Sequence, residues 1–247
     1  MRYLDRKDAP DTVWHVSARV NWQAWHLVTE QAFRVFIDCF GRAIERFAMD
    51  LIAFVLMSNH FHAVFRSPPE PIYSQLTGRR TRCRHFRPYP QGHPKSTVIG
   101  QCIQHFKVGV AKRIHASLDL SGHFWDGKHF RRELDDPKAL VIAVAYDHRN
   151  PVRQAMVARP EDFPRSSAAW WERGDASALP LCRRPDLPFG LSFETLRAEL
   201  LRFQSDKRLD DVMEVFQKSR LSLGTPKGRA ELDRLMREAG LDPTIRV

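Results

Sequence analysis

Two histidines separated by one residue begin the alternating segment HFHAVFR, residues 60–66. Successive side chains of a β-strand point to opposite faces, so His60 and His62 project from one face and could share a metal ion. Eleven histidines in 247 residues give about 0.5 such pairs by chance, so the spacing alone is weak evidence. Two half-buried sheet histidines without a metal remain the alternative at this point.

Tyr146 is the second candidate for chemistry. The sequence has four tyrosines, and only Tyr146 lies on a predicted helix with a ligand-type residue, Asn150, one turn later. Residues four apart share a helix face, with Cβ atoms about 6 Å apart. A helix tyrosine packed on the sheet is the alternative interpretation.

The elements around the histidines are predicted from hydrophobic periodicity. Residues 13–20 are typical of a strand, and apolar residues at three- and four-residue spacing predict a long helix over about 30–49. The apolar run 51–57 predicts a central strand, and a tight turn at 58–59 leads into the strand at 60–66. Strand, helix, strand, strand is the first half of a ferredoxin-like α+β sandwich, an antiparallel sheet with packed helices.

The rest of the chain supplies the elements expected to carry Tyr146. A helix is predicted from about residue 96, followed by a strand with a glycine-centred bend within 124–134. An acid-rich, proline-containing start predicts a further helix from 137 to about 150, which Pro151 ends or kinks.

Composition shifts predict the domain organisation. Residues 1–173 are predicted to form one catalytic domain containing a basic, Pro/Arg-rich loop at about 68–95. Residues 174–247 are predicted to form a linker and a helical C-terminal extension.

Charge indicates the class of partner. The formal net charge is +10, which favours a polyanion, with nucleic acid first and an anionic membrane second. The longest apolar run is too short to span a bilayer, and the N-terminus lacks a secretory apolar core. The four cysteines form no C-x-x-C pair, so we expect no zinc ribbon or disulfide scaffold but a cytoplasmic protein without membrane association.

An arginine run lies in the predicted loop and is interleaved with aromatic residues. Its arginines are predicted to track phosphates while the aromatic rings accept unpaired bases, although a simply solvated loop would look the same. Further arginines near the predicted site are candidates for phosphate contacts. The full predicted DNA-binding set is Arg79, Arg80, Arg82, Arg84, Arg87, Arg131, Arg132, Arg149 and Arg153.

Three blocks occur in order over about residues 12–172: VLMSNHFHAVFRSP, SGHFWDGKHFRREL and YDHRNPVRQAMVARPEDFPRSS. Together they resemble the insertion-sequence tyrosine transposases with the His-hydrophobic-His (HUH) motif, especially the REP-associated tyrosine transposases. The resemblance implies that His60 and His62 hold a divalent cation, Mg²⁺ or Mn²⁺, with Asn150 as third ligand. It also implies that Tyr146 attacks DNA, forming a 5′-phosphotyrosine and a free 3′-hydroxyl.

The expected function is therefore that of a metal-dependent tyrosine transposase or single-strand DNA endonuclease that cleaves and rejoins hairpin or palindromic repeat DNA. Such an enzyme could be a monomer or a homodimer. Two alternatives stay open: a domesticated hairpin-DNA-binding protein that no longer cuts, and a metal-dependent hydrolase that cleaves nucleic acid with water while Tyr146 only packs. Asp147 departs from many relatives, which have an apolar residue after the tyrosine.

Overall fold

The computed structural model describes residues 9–70, 72, 97–119, 121–173, 187–218 and 225–244. Its centre is a four-stranded antiparallel sheet with strand order β2-β3-β1-β4. Two helices connect the strands in the order β-α-β-β-α-β, which is that of a ferredoxin-like fold. The predicted α+β class is confirmed. These elements are β1 (Val13–Arg19), α1 (Glu30–Phe47), β2 (Asp50–Leu56), β3 (His60–Arg66), α2 (Val98–Leu118) and β4 (Phe130–Leu134).

The β2–β3 hairpin that carries the two histidines forms where the sequence predicts it. The amide of Met57 donates to the carbonyl of His60 at 2.8 Å and closes the turn. Strand β3 then alternates, with His60 and His62 partly exposed and Phe61 and Ala63 buried. One strand therefore supplies both a polar face and a core face of the sheet.

Helices α1 and α2 cover the core face. The side chain of Thr29 accepts from the amide of Ala32 and caps α1, which fixes where this amphipathic helix starts. Its apolar stripe meets α2 and the sheet in a cluster of aromatic rings with centroids 4.9–6.2 Å apart, built from Phe36, Phe40, Phe61 and Phe106. This cluster anchors the sheet from below the histidines.

Helix α3 (Pro137–Arg153) crosses the polar face, and the carboxylate of Asp136 caps it by accepting from the amide of Ala139. The prediction that this helix ends near Asn150 is wrong by three residues. Pro151 lies inside the last turn, where only the hydrogen bond to the carbonyl of residue 147 is lost. The amide of Gln154 still donates to the Asn150 carbonyl at 3.2 Å, so the helical path continues.

The C-terminal extension is helical, as predicted, and packs against α3. The first helix of the extension lies on α3. The second helix of the extension also contacts α3 and packs against the last helix of the chain. The predicted arginine run at 79–87 lies outside the described residues. Among the described residues, no helix is long and apolar enough to cross a membrane. The remaining helices are α4 (Ala168–Arg173), α5 (Phe193–Gln204), α6 (Arg208–Lys218) and α7 (Pro226–Glu238).

Candidate metal centre and tyrosine helix

Strand register gathers a third histidine beside the predicted pair. In the antiparallel ladder Ser17 faces His62 and Arg19 faces His60. His15 lies one step further along the same face of β1, and its ring stacks on His62 with centroids 5.4 Å apart and planes 15° apart. The His60 and His62 rings are 5.2 Å apart and nearly perpendicular. Three imidazoles therefore share the polar face of the sheet.

Asp147 of α3 closes this histidine group from above. Its Oδ1 is 3.1 Å from His15 Nε2 and 3.4 Å from His62 Nδ1, and the two nitrogens are 3.3 Å apart. The aspartate is fully buried, and its Oδ2 has no hydrogen-bond partner among the described residues. His15, His62 and Asp147 form a group that could itself hold a metal ion.

Asn59 fixes the ring of His60. Its amide nitrogen donates to the carbonyl of Gln23 at 3.2 Å, an atom that can only accept. The amide oxygen of Asn59 must therefore be the atom 2.7 Å from His60 Nδ1, and that nitrogen carries the ring proton. The lone pair of His60 is left on Nε2.

The ring of His62 has two neighbours at the same nitrogen. Its Nδ1 is hydrogen-bonded to His15 Nε2 at 3.3 Å and lies 3.4 Å from Asp147 Oδ1. In both histidines of the pair, Nδ1 is the nitrogen engaged by another side chain, which leaves Nε2 as the candidate ligand atom. Metal-binding histidines ordinarily have this arrangement, so the pair could hold a divalent cation.

The protonation states agree with metal binding. Burial and the nearby charge of Arg19 lower the pKa of His60 to about 4. Burial also lowers the pKa of His62 to about 3, although Asp147 opposes that shift. Burial alone would raise the pKa of Asp147, but its interactions with His15 and His62 hold that pKa below its usual value. At neutral pH, His60 and His62 are neutral and Asp147 is a carboxylate.

Tyr146 and Asn150 lie on α3, the helix that carries Asp147, and both are buried, with 7% and 6% of their surface exposed. Each residue of a helix turns by about 100°, so Asn150 lies between the directions of Tyr146 and Asp147. The hydroxyl of Tyr146 accepts a hydrogen bond from Arg153 Nη1, and the Arg153 guanidinium carbon lies 4.7 Å from the ring centroid. Asp147 is the residue of this helix whose contacts with the histidines are established.

The opposite sides of α3 are fastened to the C-terminal helices. Arg149 is buried and donates to both carboxylate oxygens of Asp210, at 2.9 and 2.5 Å, and to the carbonyl of Gln204. Asp210 also lies 3.9 Å from Arg153 Nε. His148 is buried between the Ser167 hydroxyl and the side chain of Gln204. The guanidinium of Arg149 is therefore engaged within the protein rather than presented at its surface.

The predicted phosphate-binding arginines of β4 face opposite sides of the sheet. Arg131 contacts the Thr97 hydroxyl at 2.5 Å and lies over the Trp14 ring. Arg132 pairs across from His15, and its guanidinium lies 5.3 Å from the ring centroid of Phe130. Of these two residues, Arg132 is on the histidine side.

Sequence reasoning missed His15 and Asp147 as members of the site. The only signal for His15 was its place in a strand that alternates polar and apolar residues. Asp147 was recognised as a departure next to Tyr146 but was not assigned a role. Their contact spans 132 positions along the chain, so no local pattern could reveal it.

The sheet with its crossing helices is a fold found in transposases. The chain is similar to a solved REP-associated tyrosine transposase bound to a REP hairpin, with TM-score 0.50 and 14% identity over 75% of this chain and 93% of that chain. A candidate transposase from Deinococcus radiodurans is 13% identical over 63% of this chain and 95% of that chain, with TM-score 0.35, too low to argue from. No protein-family model and no curated protein matches the sequence.

Proposed function

We propose that this protein is a metal-dependent tyrosine transposase or single-strand DNA endonuclease acting on hairpin or palindromic repeat DNA. One observation carries the proposal: two neutral histidines, each with Nδ1 engaged by another side chain, lie beneath the helix that bears Tyr146 and, next to it, the buried carboxylate of Asp147, 3.4 Å from His62. The similarity of fold to a transposase that binds a DNA hairpin supports it.

We assign the metal to His60 and His62 through Nε2, with Asn150 as the third ligand. A bound Mg²⁺ or Mn²⁺ would withdraw charge from the scissile phosphate and stabilise the transition state. Asn59 and Asp147 act as positioning residues, because Asn59 accepts from Nδ1 of His60 and Asp147 lies against Nδ1 of His62, so that Nε2 of each ring is left for the ion. Asn150 is an oxygen donor on the side of α3 between Tyr146 and Asp147.

In the proposed reaction, the Tyr146 oxygen attacks the phosphorus and the bond from phosphorus to the 3′ oxygen breaks. The phenol proton leaves to solvent, and the departing oxygen takes up a proton to become a 3′-hydroxyl. The phosphotyrosine conserves the energy of the broken bond, so the strand can later be rejoined. Because Arg153 covers the Tyr146 hydroxyl, we propose that DNA phosphate takes over the Arg153 guanidinium and uncovers the nucleophile.

The other arginines predicted to bind phosphate differ in how readily they could contact the DNA. Arg132 lies on the histidine side of the sheet, and we propose it as a contact to the strand near the cleavage point. Arg131, on the other face, is proposed as a contact to a more distant phosphate, and the arginines of the run at 79–87 are proposed as further phosphate contacts. Arg149 could join them only by leaving Asp210.

Removal of the metal or of either histidine tests this function. Cleavage of a labelled single-stranded oligonucleotide carrying a palindrome should require Mg²⁺ or Mn²⁺. It should fall by at least about 100-fold in His60→Ala and His62→Ala, the scale of losing one preorganised stabilising group. Hairpin binding in EDTA should largely persist, since phosphate contacts elsewhere supply affinity. Undiminished cleavage in both variants would make these histidines structural; His105→Ala, on α2, is the matched control.

The two overlapping ligand groups share His62 and can be separated by Mn²⁺ binding, followed by electron paramagnetic resonance of the free ion. The proposed set predicts that His60→Ala and Asn150→Ala abolish binding, whereas Asp147→Asn weakens it about 10–100-fold. Full binding by His60→Ala together with loss in His15→Ala would move the ion to the group formed by His15, His62 and Asp147.

A non-cleaving hairpin-binding protein is the second candidate, because the buried Tyr146 hydroxyl is covered by Arg153. It predicts hairpin binding without metal-dependent strand cleavage by the wild-type protein.

A further inference from the structure

Two tryptophans are exposed in the segment that follows β1, which we call the tryptophan loop (residues 20–28). Trp22 has 91% of its surface exposed and Trp25 has 71%. Tryptophan is well buried on average, because exposing its large apolar ring to water is unfavourable. Two such rings in one short loop are therefore typical of a binding surface.

The tryptophan loop is held in a fixed shape. Trp22 and Gln23 are consecutive non-glycine residues in the left-handed region, with φ of 57° and 54°. Such backbone conformations are unfavourable unless the surrounding structure imposes them. Here the amide of Trp22 donates to the side-chain oxygen of Asn21 at 3.0 Å, and the amide of Asn21 donates to the Phe124 carbonyl at 2.8 Å. The loop thus presents Trp22 on a rigid base.

The loop is fastened to the turn that precedes His60. The amide of Val20 donates to the Asn59 carbonyl at 2.7 Å, and the amide of Leu27 donates to the Ser58 carbonyl at 3.0 Å. The side chain of Asn59 links the tryptophan loop to the histidine group directly, because it donates to the carbonyl of Gln23 and accepts from His60. The tryptophan loop therefore borders the histidine group.

Charge at the loop's start favours an anionic strand. Arg19 is exposed and pairs across the sheet from His60, immediately before the loop. With a net charge of +10, this end of the sheet offers a cation for phosphate next to aromatic rings. Cations along a backbone path combined with rings that accept bases are how proteins bind single strands without reading sequence.

We propose that Trp22 and Trp25 form a stacking platform for unpaired bases of the DNA strand that enters the histidine group, with Arg19 holding the adjacent phosphate. The inference rests on the proposed DNA substrate but not on the cleavage step. Stacking would keep the strand single and extended as it approaches His60 and Tyr146. Duplex DNA, whose bases are already stacked on each other, cannot use the platform.

The test compares a DNA hairpin carrying an unpaired tail with the same hairpin lacking the tail, both titrated in EDTA by fluorescence anisotropy. Wild type should prefer the tailed hairpin. Trp22→Ala combined with Trp25→Ala should weaken binding of the tailed hairpin by at least about 5- to 150-fold, the range for losing the stacking of one base. Binding of the blunt hairpin and the dependence on salt should not change, because no charge is removed. The corresponding phenylalanine variants should recover much of the affinity.

Phe189→Ala is the matched control, since Phe189 is also an exposed aromatic residue with positive φ but lies in the C-terminal part of the chain. Equal losses on tailed and blunt hairpins, or none on either, would overturn the platform. So would an RNA tail that binds better than the DNA tail, or variants that only convert a dimer to a monomer. A wild-type protein that shows tryptophan-dependent tail binding but never cleaves would keep the platform and refute the proposed enzyme. If the wild type cleaves DNA but the tryptophan variants bind the tail unchanged, the proposed enzyme would stand and the stacking platform would be refuted.

Discussion

The two faces of the sheet are built by the same strands but differ in chemistry. On β3, Phe61 points into a fully buried cluster of aromatic rings, whereas its neighbour His62 points toward Asp147 on the other face. The core face gains its stability from apolar area, which tolerates no polar group without a partner. The polar face is only partly buried, and the described contacts of His60 and His62 leave one ring nitrogen of each without a protein partner.

The difference indicates that the core face stabilises the fold and that the histidine face is the one able to bind a ligand. The apolar rings that fill the core face have no polar atoms that need a hydrogen-bond partner, and their packing holds the strands in register. The histidine face contains two neutral imidazoles and a buried carboxylate, one oxygen of which has no hydrogen-bond partner in the described part of the chain. Such an arrangement is costly unless a ligand or a cation uses it. The comparison therefore predicts opposite responses to substitutions one residue apart.

The largest expected effect is on the core face. Phe61→Ala should lower the free energy of unfolding by about 3–5 kcal/mol, because it removes a fully buried ring and leaves a cavity. His62→Ala should cost less, about 1–3 kcal/mol, since it removes one partner of Asp147. Chemical denaturation measures both values. Mn²⁺ binding should show the reverse order, lost in His62→Ala and retained by the folded fraction of Phe61→Ala. An equally large destabilisation by His62→Ala would refute the division of roles.

A smaller effect should appear in acid. Burial lowers the pKa of His148 to about 4, whereas the unfolded chain protonates near its ordinary value of about 6.5. Between these values the unfolded state binds more protons, so stability is full above about pH 6.5 and falls as the pH drops toward 4. The slope for one such histidine is at most about 1.4 kcal/mol per pH unit.

His148→Gln should flatten this pH dependence in denaturant melts taken between pH 7 and 4. The control is His123→Gln, at an exposed position, which should leave the slope unchanged. If both variants keep the wild-type slope, protonation of His148 does not limit stability in acid.

Sequence alone predicted the hairpin with His60 and His62 and the helix with Tyr146, because local periodicity determines both. It did not reveal His15 and Asp147 as partners, since their contact depends on strand register and on how α3 crosses the sheet. Pro151 was expected to end or kink α3 at about residue 150, but the helix runs on to Arg153, because a proline in the last turn removes only one hydrogen bond. Arg153, seven residues after Tyr146, lies two turns along the same helix face, a spacing that could have predicted its contact with the hydroxyl.

The central claim is that Tyr146 attacks DNA beside a metal held by His60 and His62. Its most direct measurement is the covalent adduct formed when the protein is incubated with Mn²⁺ and a single-stranded oligonucleotide carrying a palindrome. The proposed function predicts a denaturation-resistant protein–DNA band whose tryptic peptide carries the 5′ phosphate on Tyr146. The band should be absent in Tyr146→Phe and in EDTA. An adduct on another residue, or metal-dependent cleavage that persists in Tyr146→Phe without any adduct, would contradict it.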